Sequence, residues 1–156
     1  MLRIEIPGGN TYSLDHLVVD YNGTIALDGE LLAGVAELFI LLAERMSLHV
    51  LTADTHGTVE QKTQGLPVSL HIIDGDRQDV SKCNIIKGLG SGNVAVVGNG
   101  RNDVLMLREA AIGIAVIQAE GCAGSLIASA DVVCTSIVDA LHLFTHPVRL
   151  CATLRT

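Results

Sequence analysis

The fold of this chain is decided by Leu17–Ile25, the stretch LVVDYNGTI. Apolar residues with high strand propensity end at the carboxylate of Asp20, and a Gly-Thr turn begins three residues later. A strand-end aspartate is often a simple turn former. When a buried strand holds it at the edge of a sheet, however, it can also attack a phosphoryl group or bind a metal ion. Asn22 stands where a second acid would be expected.

Composition favours one α/β domain and argues against nucleic acid as a partner. The 156 residues are 49% hydrophobic and 3% aromatic, and 17 acids against 10 Lys+Arg give a net charge of -7. The alternating N-terminus and the lack of a long apolar run predict a soluble, cytoplasmic protein with no signal peptide and no membrane partner. Cysteines that form no CxxC pair are expected to be free thiols in a reducing cytosol: Cys83, Cys122, Cys134 and Cys151.

Hydrophobic periodicity predicts a hairpin over residues 2–19, followed by alternating helices and buried strands. This order predicts a mainly parallel sheet covered on both faces, a three-layer Rossmann-like architecture with an N-terminal hairpin. The predicted helices span residues 31–45, 56–64, 79–88, 102–110, 122–128 and 136–144. The predicted strands after the hairpin span residues 48–52, 69–73, 93–97, 112–116 and 131–133.

Asp20, Thr52 and Asp103 follow predicted strands, and together with Lys82 from the predicted helix over 79–88 they supply the parts that phosphoryl transfer needs. Ligands of open parallel sheets bind at the carboxyl ends of the strands, so these side chains are expected to meet there. Asp20 would be the nucleophile, and Thr52, followed by Ala53, would donate hydrogen bonds to phosphate. Lys82 would be the cation, although Lys87 competes for that role, and Asp103 would bind the metal. The alternatives are ordinary: Thr52 as a helix N-cap and either lysine as a surface residue.

The segment Gly98–Asp103, GNGRND, follows a Val-rich strand and opens a helix. It lacks the third glycine of a dinucleotide-binding fingerprint. Oxygen ligands from carboxylates and carbonyls are those that Mg²⁺ prefers, so a magnesium site is the better interpretation. His56 follows closely after Asp54 and is expected to be a first-turn helix residue near the crevice.

These motifs resemble the haloacid dehalogenase superfamily, and most closely its branch related to the phosphorylation domain of P-type ATPases. The match runs from Leu17 to about Val133. Asp20–Thr24, DYNGT, resembles the pump motif DKTGT, and Thr52–Asp54, TAD, resembles TGD. Lys82 falls at the place of the third-motif lysine, and Gly98–Asp103 resembles GDGxND.

By this resemblance Asp20 is the phosphate acceptor, and Gly23, Thr52, Ala53 and Lys82 contribute to phosphate binding. Asp20, the Asn22 carbonyl, Asn99 and Asp103 are the implied Mg²⁺ site. Asn22 replaces the acid that serves phosphatases of the superfamily as general acid and base. Asn99 replaces the first acid of the fourth motif, which removes one formal charge from the metal site.

The replacement of acids by Asn22 and Asn99 predicts a slow enzyme that needs a good leaving group. Without an acid at position 22, general acid catalysis of about 10²–10⁴-fold is forgone. Aryl phosphates, acyl phosphates and nucleotide anhydrides should therefore react faster than sugar monophosphates. The competing hypothesis is a non-catalytic descendant that binds phosphate or a protein partner.

Short gaps between motifs predict an open crevice without a cap domain. Only 27 residues separate Thr24 from Thr52, and 29 separate Thr52 from Lys82. The crevice is expected to be open unless a neighbouring subunit covers it, and the high apolar fraction is compatible with a homo-oligomer.

Overall fold

A computed structural model describes residues 1–54 and 58–156 of the chain. Its centre is a six-stranded parallel sheet, flanked by two small antiparallel hairpins. The predicted helix over residues 56–64 begins, together with His56, outside the described residues. The described part of that helix runs from Thr58 to Thr63.

The strands are β1 Leu2–Glu5, β2 Thr11–Leu14, β3 His16–Asp20, β4 Ala26–Leu27, β5 Glu30–Leu31, β6 Ser47–Thr52, β7 Val68–Ile72, β8 Val94–Gly98, β9 Ile112–Val116 and β10 Val132–Cys134. The α-helices are α1 Val35–Ala43, α2 Thr58–Thr63, α3 Gln78–Leu89, α4 Val104–Glu109, α5 Gly124–Ile127, α6 Ile137–Thr145 and α7 Pro147–Leu154. Short 3₁₀ turns cover Ser91–Asn93 and Arg101–Asp103. The strand order of the central sheet is β10-β9-β8-β3-β6-β7, and the two hairpins are β1-β2 and β4-β5.

The sheet has a hydrophobic core on each face because alternate residues of each buried strand point to opposite sides. Val19 of β3 packs in the core that includes residues of α1, α2, α6 and α7, whereas Val18 packs in the core that includes residues of α3, α4 and α5. Both cores are built mainly from aliphatic side chains, as the composition predicts. This confirms the parallel, doubly covered α/β architecture with an N-terminal hairpin.

Two local predictions are wrong. The hairpin ends at Leu14, and β3 belongs to the central sheet rather than to the hairpin's second arm. The helix predicted from residue 31 begins at Val35, because the preceding segment forms the hairpin β4-β5 around Asp28 and Gly29. Both turn residues have positive φ, 51° and 81°, which is the geometry that an Asp-Gly hairpin loop favours.

Helix α7 was not predicted, although Pro147 at its first turn is a typical helix start. Within the described residues, the gap from Thr24 to Thr52 holds β4, β5, α1 and most of β6, and the gap from Thr52 to Lys82 holds α2, β7 and the start of α3. Each helix in the described ranges is too short or too polar to cross a bilayer.

Candidate active site

The site is built around the ammonium group of Lys82, which bridges two carboxylates. Lys82 Nζ lies 2.6 Å from Asp20 Oδ1 and 2.7 Å from Asp103 Oδ1. Asp20 ends β3, Asp103 precedes α4, and Lys82 extends from the first half of α3. Only 1% of Lys82 is exposed to solvent, so the ion pairs are shielded from water and from salt.

Backbone amides hold the second carboxylate in place. Asp103 Oδ2 accepts hydrogen bonds from the amides of Asn99 and Gly100, at 3.1 and 2.9 Å. Gly98 allows this packing, because a side chain there would collide with the Asp103 carboxylate. The charged oxygens of Asp103 are therefore committed to Lys82 and to the loop after β8. Asp103 is fully buried and does not line the crevice, whereas Asp20, Lys82 and Asn99 do.

Burial and the negative charge of Asp103 raise the pKa of Asp20 to about 7, against the lowering effect of Lys82. Burial alone would lower the pKa of Lys82, but the charges of the two carboxylates outweigh it and raise that pKa. When all three groups are ionised, two negative charges face one positive charge. The surplus negative charge favours an added cation or a neutral Asp20.

Thr24 connects the nucleophile loop to the loop after β8. Its hydroxyl donates to Asn99 Oδ1 at 3.2 Å and makes a long 3.4 Å contact with Asp20 Oδ2. Asp20 Oδ2 is thus held more loosely than Oδ1, which Lys82 binds. Sequence reasoning gave Thr24 no role beyond the turn, although a buried hydroxyl in this motif needs a partner.

Asp20, Lys82 and Asn99 lie beside a cavity of about 240 Å³ at the carboxyl ends of β3, β6 and β8. Thr52 is 2% exposed, and its hydroxyl accepts a hydrogen bond from the amide of Asp54 at 3.1 Å. The cavity is lined by the predicted residues Asp20, Asn22, Thr52, Ala53, Lys82 and Asn99, together with Gly100, Asn102 and Glu120. Such a space fits a phosphate group and a few water molecules.

The lysine that lies at the site is Lys82, not its competitor. Lys87 is on the exposed side of α3, with its ammonium 4.0 Å from Glu109. The four cysteines are unpaired, and none of them lines this cavity. His142 and His146 are one helical turn apart. Their rings make an edge-to-face contact, and neither residue lines the crevice.

The donor groups fit Mg²⁺. In the described ranges, no three Asp, Glu, His or Cys side chains form a cluster that could hold a metal by themselves. The available oxygens are those of the Asp20 carboxylate and the Asn99 amide, with Asn22 at the rim of the same cavity. Mg²⁺ prefers such mixed oxygen ligands and keeps several of its waters. The surplus negative charge beside Lys82 supplies the electrostatic attraction.

Sequence reasoning missed the turn Gln118–Gly121, which closes one side of the site. The Gln118 amide group donates to the carbonyls of Gly23 and Thr24, at 3.1 and 2.8 Å. Its oxygen accepts from the Ile137 amide at 2.7 Å, so the turn is fixed to the start of α6 as well. The turn follows β9, and the rule that ligands bind at carboxyl ends of strands could have identified it.

The fold is that of the haloacid dehalogenase superfamily. Its structural neighbours include the cobalt-bound deoxy-D-mannose-octulosonate 8-phosphate phosphatase of Haemophilus influenzae, with TM-score 0.69, 11% identity and 89% of each chain covered. The corresponding phosphatase of Moraxella catarrhalis, solved with magnesium, phosphate and KDO, has TM-score 0.63 at 20% identity over 88% of this chain and 92% of that one. BT1666 of Bacteroides thetaiotaomicron, a superfamily phosphatase, has TM-score 0.62 at 12% identity over 96% and 98%.

Two proteins of Methanocaldococcus jannaschii are related in sequence. MJ0073 is 39% identical over 82 residues, which are 50% of this chain and 88% of that protein. MJ0072 is 46% identical over 39 residues, which are 25% of this chain and 89% of that protein. No protein-family model matches the chain. The chain belongs to the family of these two archaeal proteins.

Proposed function

We propose that the protein is a magnesium-dependent phosphatase that transfers a phosphoryl group to Asp20 and then to water. The observation that carries the proposal is the bridge from Lys82 to Asp20 and Asp103 beside a polar cavity of about 240 Å³. A buried cation next to a strand-end carboxylate serves phosphoryl transfer because it offsets charge on the transferring group. The phosphatase names of the structural neighbours agree with this proposal.

In the first step, Asp20 Oδ2 attacks phosphorus while the bond to the leaving oxygen breaks, and the leaving group departs with that electron pair. Asp20 Oδ1 stays bound to Lys82, so the attacking carboxylate is held in one orientation. In the second step, water attacks phosphorus, inorganic phosphate leaves, and the Asp20 carboxylate is restored. The hydroxyl of Thr52 and the amide of Ala53 would donate hydrogen bonds to phosphoryl oxygens, since both residues line the cavity.

Mg²⁺ would be held by Asp20, Asn99 and the Asn22 carbonyl, with Asp103 adding negative charge behind them. When bound, it would neutralise charge on the phosphoryl oxygens. The neighbours solved with cobalt and with magnesium are consistent with a divalent cation at this site.

The substrate class follows from Asn22, an exposed amide at the rim of the cavity. An amide does not protonate a departing alkoxide, so we propose that substrates with good leaving groups are preferred. Two of the neighbours are named for a sugar phosphate, and that substrate class is the alternative. A series of aryl phosphates and sugar phosphates that spans leaving-group pKa separates them. Clearly faster turnover of the sugar phosphates would overturn the preference.

The first test is Mg²⁺-dependent release of phosphate from p-nitrophenyl phosphate. We expect turnover that EDTA removes and that Asp20→Asn abolishes. The absence of acids at positions 22 and 99 favours a second candidate, a protein that binds phosphate without cleaving its esters. Phosphate binding by the folded wild type without turnover of any substrate in the series would support that candidate and contradict the first.

A further inference from the structure

Glu120 places a carboxylate at the mouth of the proposed phosphate cavity. It lines the cavity together with Asp20, Asn22 and Asn99, and its side chain is exposed. Among the hydrogen bonds and ion pairs of residues 1–54 and 58–156, none involves this carboxylate. The group is therefore available to an incoming ligand.

The turn that carries Glu120 is anchored at both ends. The Gly121 amide donates to the Gln118 carbonyl at 2.8 Å, which closes the turn. At one end the Gln118 side chain binds Gly23 and Thr24. At the other end the Gly121 carbonyl accepts from Asn99 Nδ2 at 3.3 Å. The turn thus connects the nucleophile loop with the loop after β8, and Glu120 lies between its two anchors.

The position of Glu120 beside Asn99 is visible at Gly23. A Cβ atom built on Gly23 would lie 2.8 Å from Glu120 Oε2 and 2.8 Å from Asn99 Cγ. The same Cβ would contact Asn99 Nδ2, so the Glu120 carboxylate and the nitrogen end of the Asn99 amide lie close to one point. Glu120 thus lies beside Asn99, whose Oδ1 accepts a hydrogen bond from Thr24, and both residues line the same cavity as Asp20.

Charge at this side of the site is otherwise low. Asn99 is neutral, and the Asp103 carboxylate is committed to Lys82 and two backbone amides. Glu120 adds one negative charge where the amide of Asn99 adds none. No three Asp, Glu, His or Cys side chains of the described part form a cluster that could hold a metal ion. The structure therefore does not favour a cation that Glu120, Asp20 and Asp103 all bind directly.

We propose that Glu120 is a metal-positioning residue that binds Mg²⁺ through the cation's own water molecules and supplies the charge missing at Asn99. Mg²⁺ commonly keeps several waters, and a carboxylate that accepts hydrogen bonds from them is attracted by the cation's charge. The inference rests on the proposed magnesium-dependent function.

The test is Mg²⁺ binding without substrate, measured by calorimetry on the whole chain and checked with Mn²⁺ by electron paramagnetic resonance. Glu120→Gln is expected to weaken Mg²⁺ binding about five- to tenfold. Glu44→Gln is the matched control, since it removes the same charge just after α1, at the amino ends of the strands, and should leave the affinity unchanged. Because the Glu120 side chain is exposed, both variants should unfold at the wild-type temperature.

Asn99→Asp provides a second measurement. The added acid should tighten Mg²⁺ binding, and Glu120→Gln should then cost less affinity than it does in the wild type. Equal Mg²⁺ affinity in the wild type and Glu120→Gln would overturn the inference while leaving the phosphatase proposal intact. Reduced turnover of Glu120→Gln at saturating Mg²⁺ with unchanged Mg²⁺ affinity would also overturn it, because Glu120 would then act on the substrate. A wild type that binds no Mg²⁺ would contradict both proposals.

Discussion

The Lys82 ammonium lies 2.6 Å from the Asp20 carboxylate, although 61 residues of chain lie between the two. Both groups are almost completely removed from water, and Asp103 completes the cluster from a third element. Removing Lys82 from this cluster is costly, because it leaves two buried carboxylates without a counter-charge. The same contact therefore governs both the stability of the protein and the chemistry proposed for it.

Lys82→Met should destabilise the protein by about 3–5 kcal/mol, because two buried carboxylates lose their only cation in the cluster. Urea unfolding at pH 7 measures the change. Lys87→Met is the control on the same helix, where an exposed pair with Glu109 predicts a loss below about 1 kcal/mol. Similar losses in the two variants would contradict the arrangement described for Lys82.

Asp20→Asn should abolish phosphate release yet stabilise the metal-free protein. The pKa of Asp20 is raised to about 7, so the folded state binds its proton more tightly than the unfolded state does. Stability from this group is complete below about pH 3.8 and is lost as pH rises through about 7. The variant should gain about 2 kcal/mol over the wild type at pH 8 and much less at pH 5, by urea unfolding in EDTA. An equal effect at both pH values would contradict the raised pKa.

Asn22→Asp should raise turnover of sugar monophosphates about 10- to 100-fold, since an acid at this position can protonate the leaving oxygen and activate water. The gain should be smaller for p-nitrophenyl phosphate, whose leaving group departs without a proton. Steady-state rates on both substrates check this, with circular dichroism to verify folding. A folded variant with unchanged or lower rates on both would count against the role proposed for position 22.

Gly23→Ala should destabilise the protein by about 2–4 kcal/mol, because it combines a positive φ with a collision. Gly23 has φ 76°, and an added Cβ would meet Asn99 and Glu120. Gly29→Ala separates the two effects, because Gly29 has φ 81° but nothing within 4 Å of an added Cβ. Thermal unfolding should show a cost of about 1 kcal/mol for the control. Equal costs would mean that the site loop relaxes without strain.

His49 should make the protein less stable in acid. Its ring lies between those of His16 and His71, with nitrogen-to-nitrogen distances of 3.1 Å on both sides. Burial and then the neighbouring histidines lower the pKa of His49 from 6.5 to about 4. The unfolded chain therefore binds the proton first, and the stability present above about pH 6.5 is lost as pH falls toward about 4.

The contribution of His49 is isolated by comparing the wild type with His49→Gln. Asp20 has the opposite pH dependence, but it is present in both proteins and cancels in the difference. Between pH 7 and pH 4 the wild type should lose about 1–3 kcal/mol more than the variant, measured by urea unfolding. Parallel stability curves would show that the histidine row titrates normally.

Much of the fold follows from local pattern. The Val-rich runs of β3, β6 and β8 are buried on both faces, and such runs alternating with helices are compatible with little besides a parallel sheet. Patterns that span only a few residues do not indicate secondary structure as clearly. The two-residue strands around Asp28 and Gly29 carry too little hydrophobic periodicity to separate them from the start of α1.

The sequence by itself determined that Asp20, Thr52 and the Gly98–Asp103 loop meet at one edge of the sheet, because parallel strands bring their carboxyl ends together whatever the details of packing. Only the tertiary structure decided that Lys82 is buried between two carboxylates while Lys87 is exposed, since that depends on the rotation of α3 over the sheet. It also decided that Gln118 and Glu120 close the site. The hydrogen bonds of Gln118 that fix this turn join segments about 95 residues apart, and no local pattern encodes such a distance.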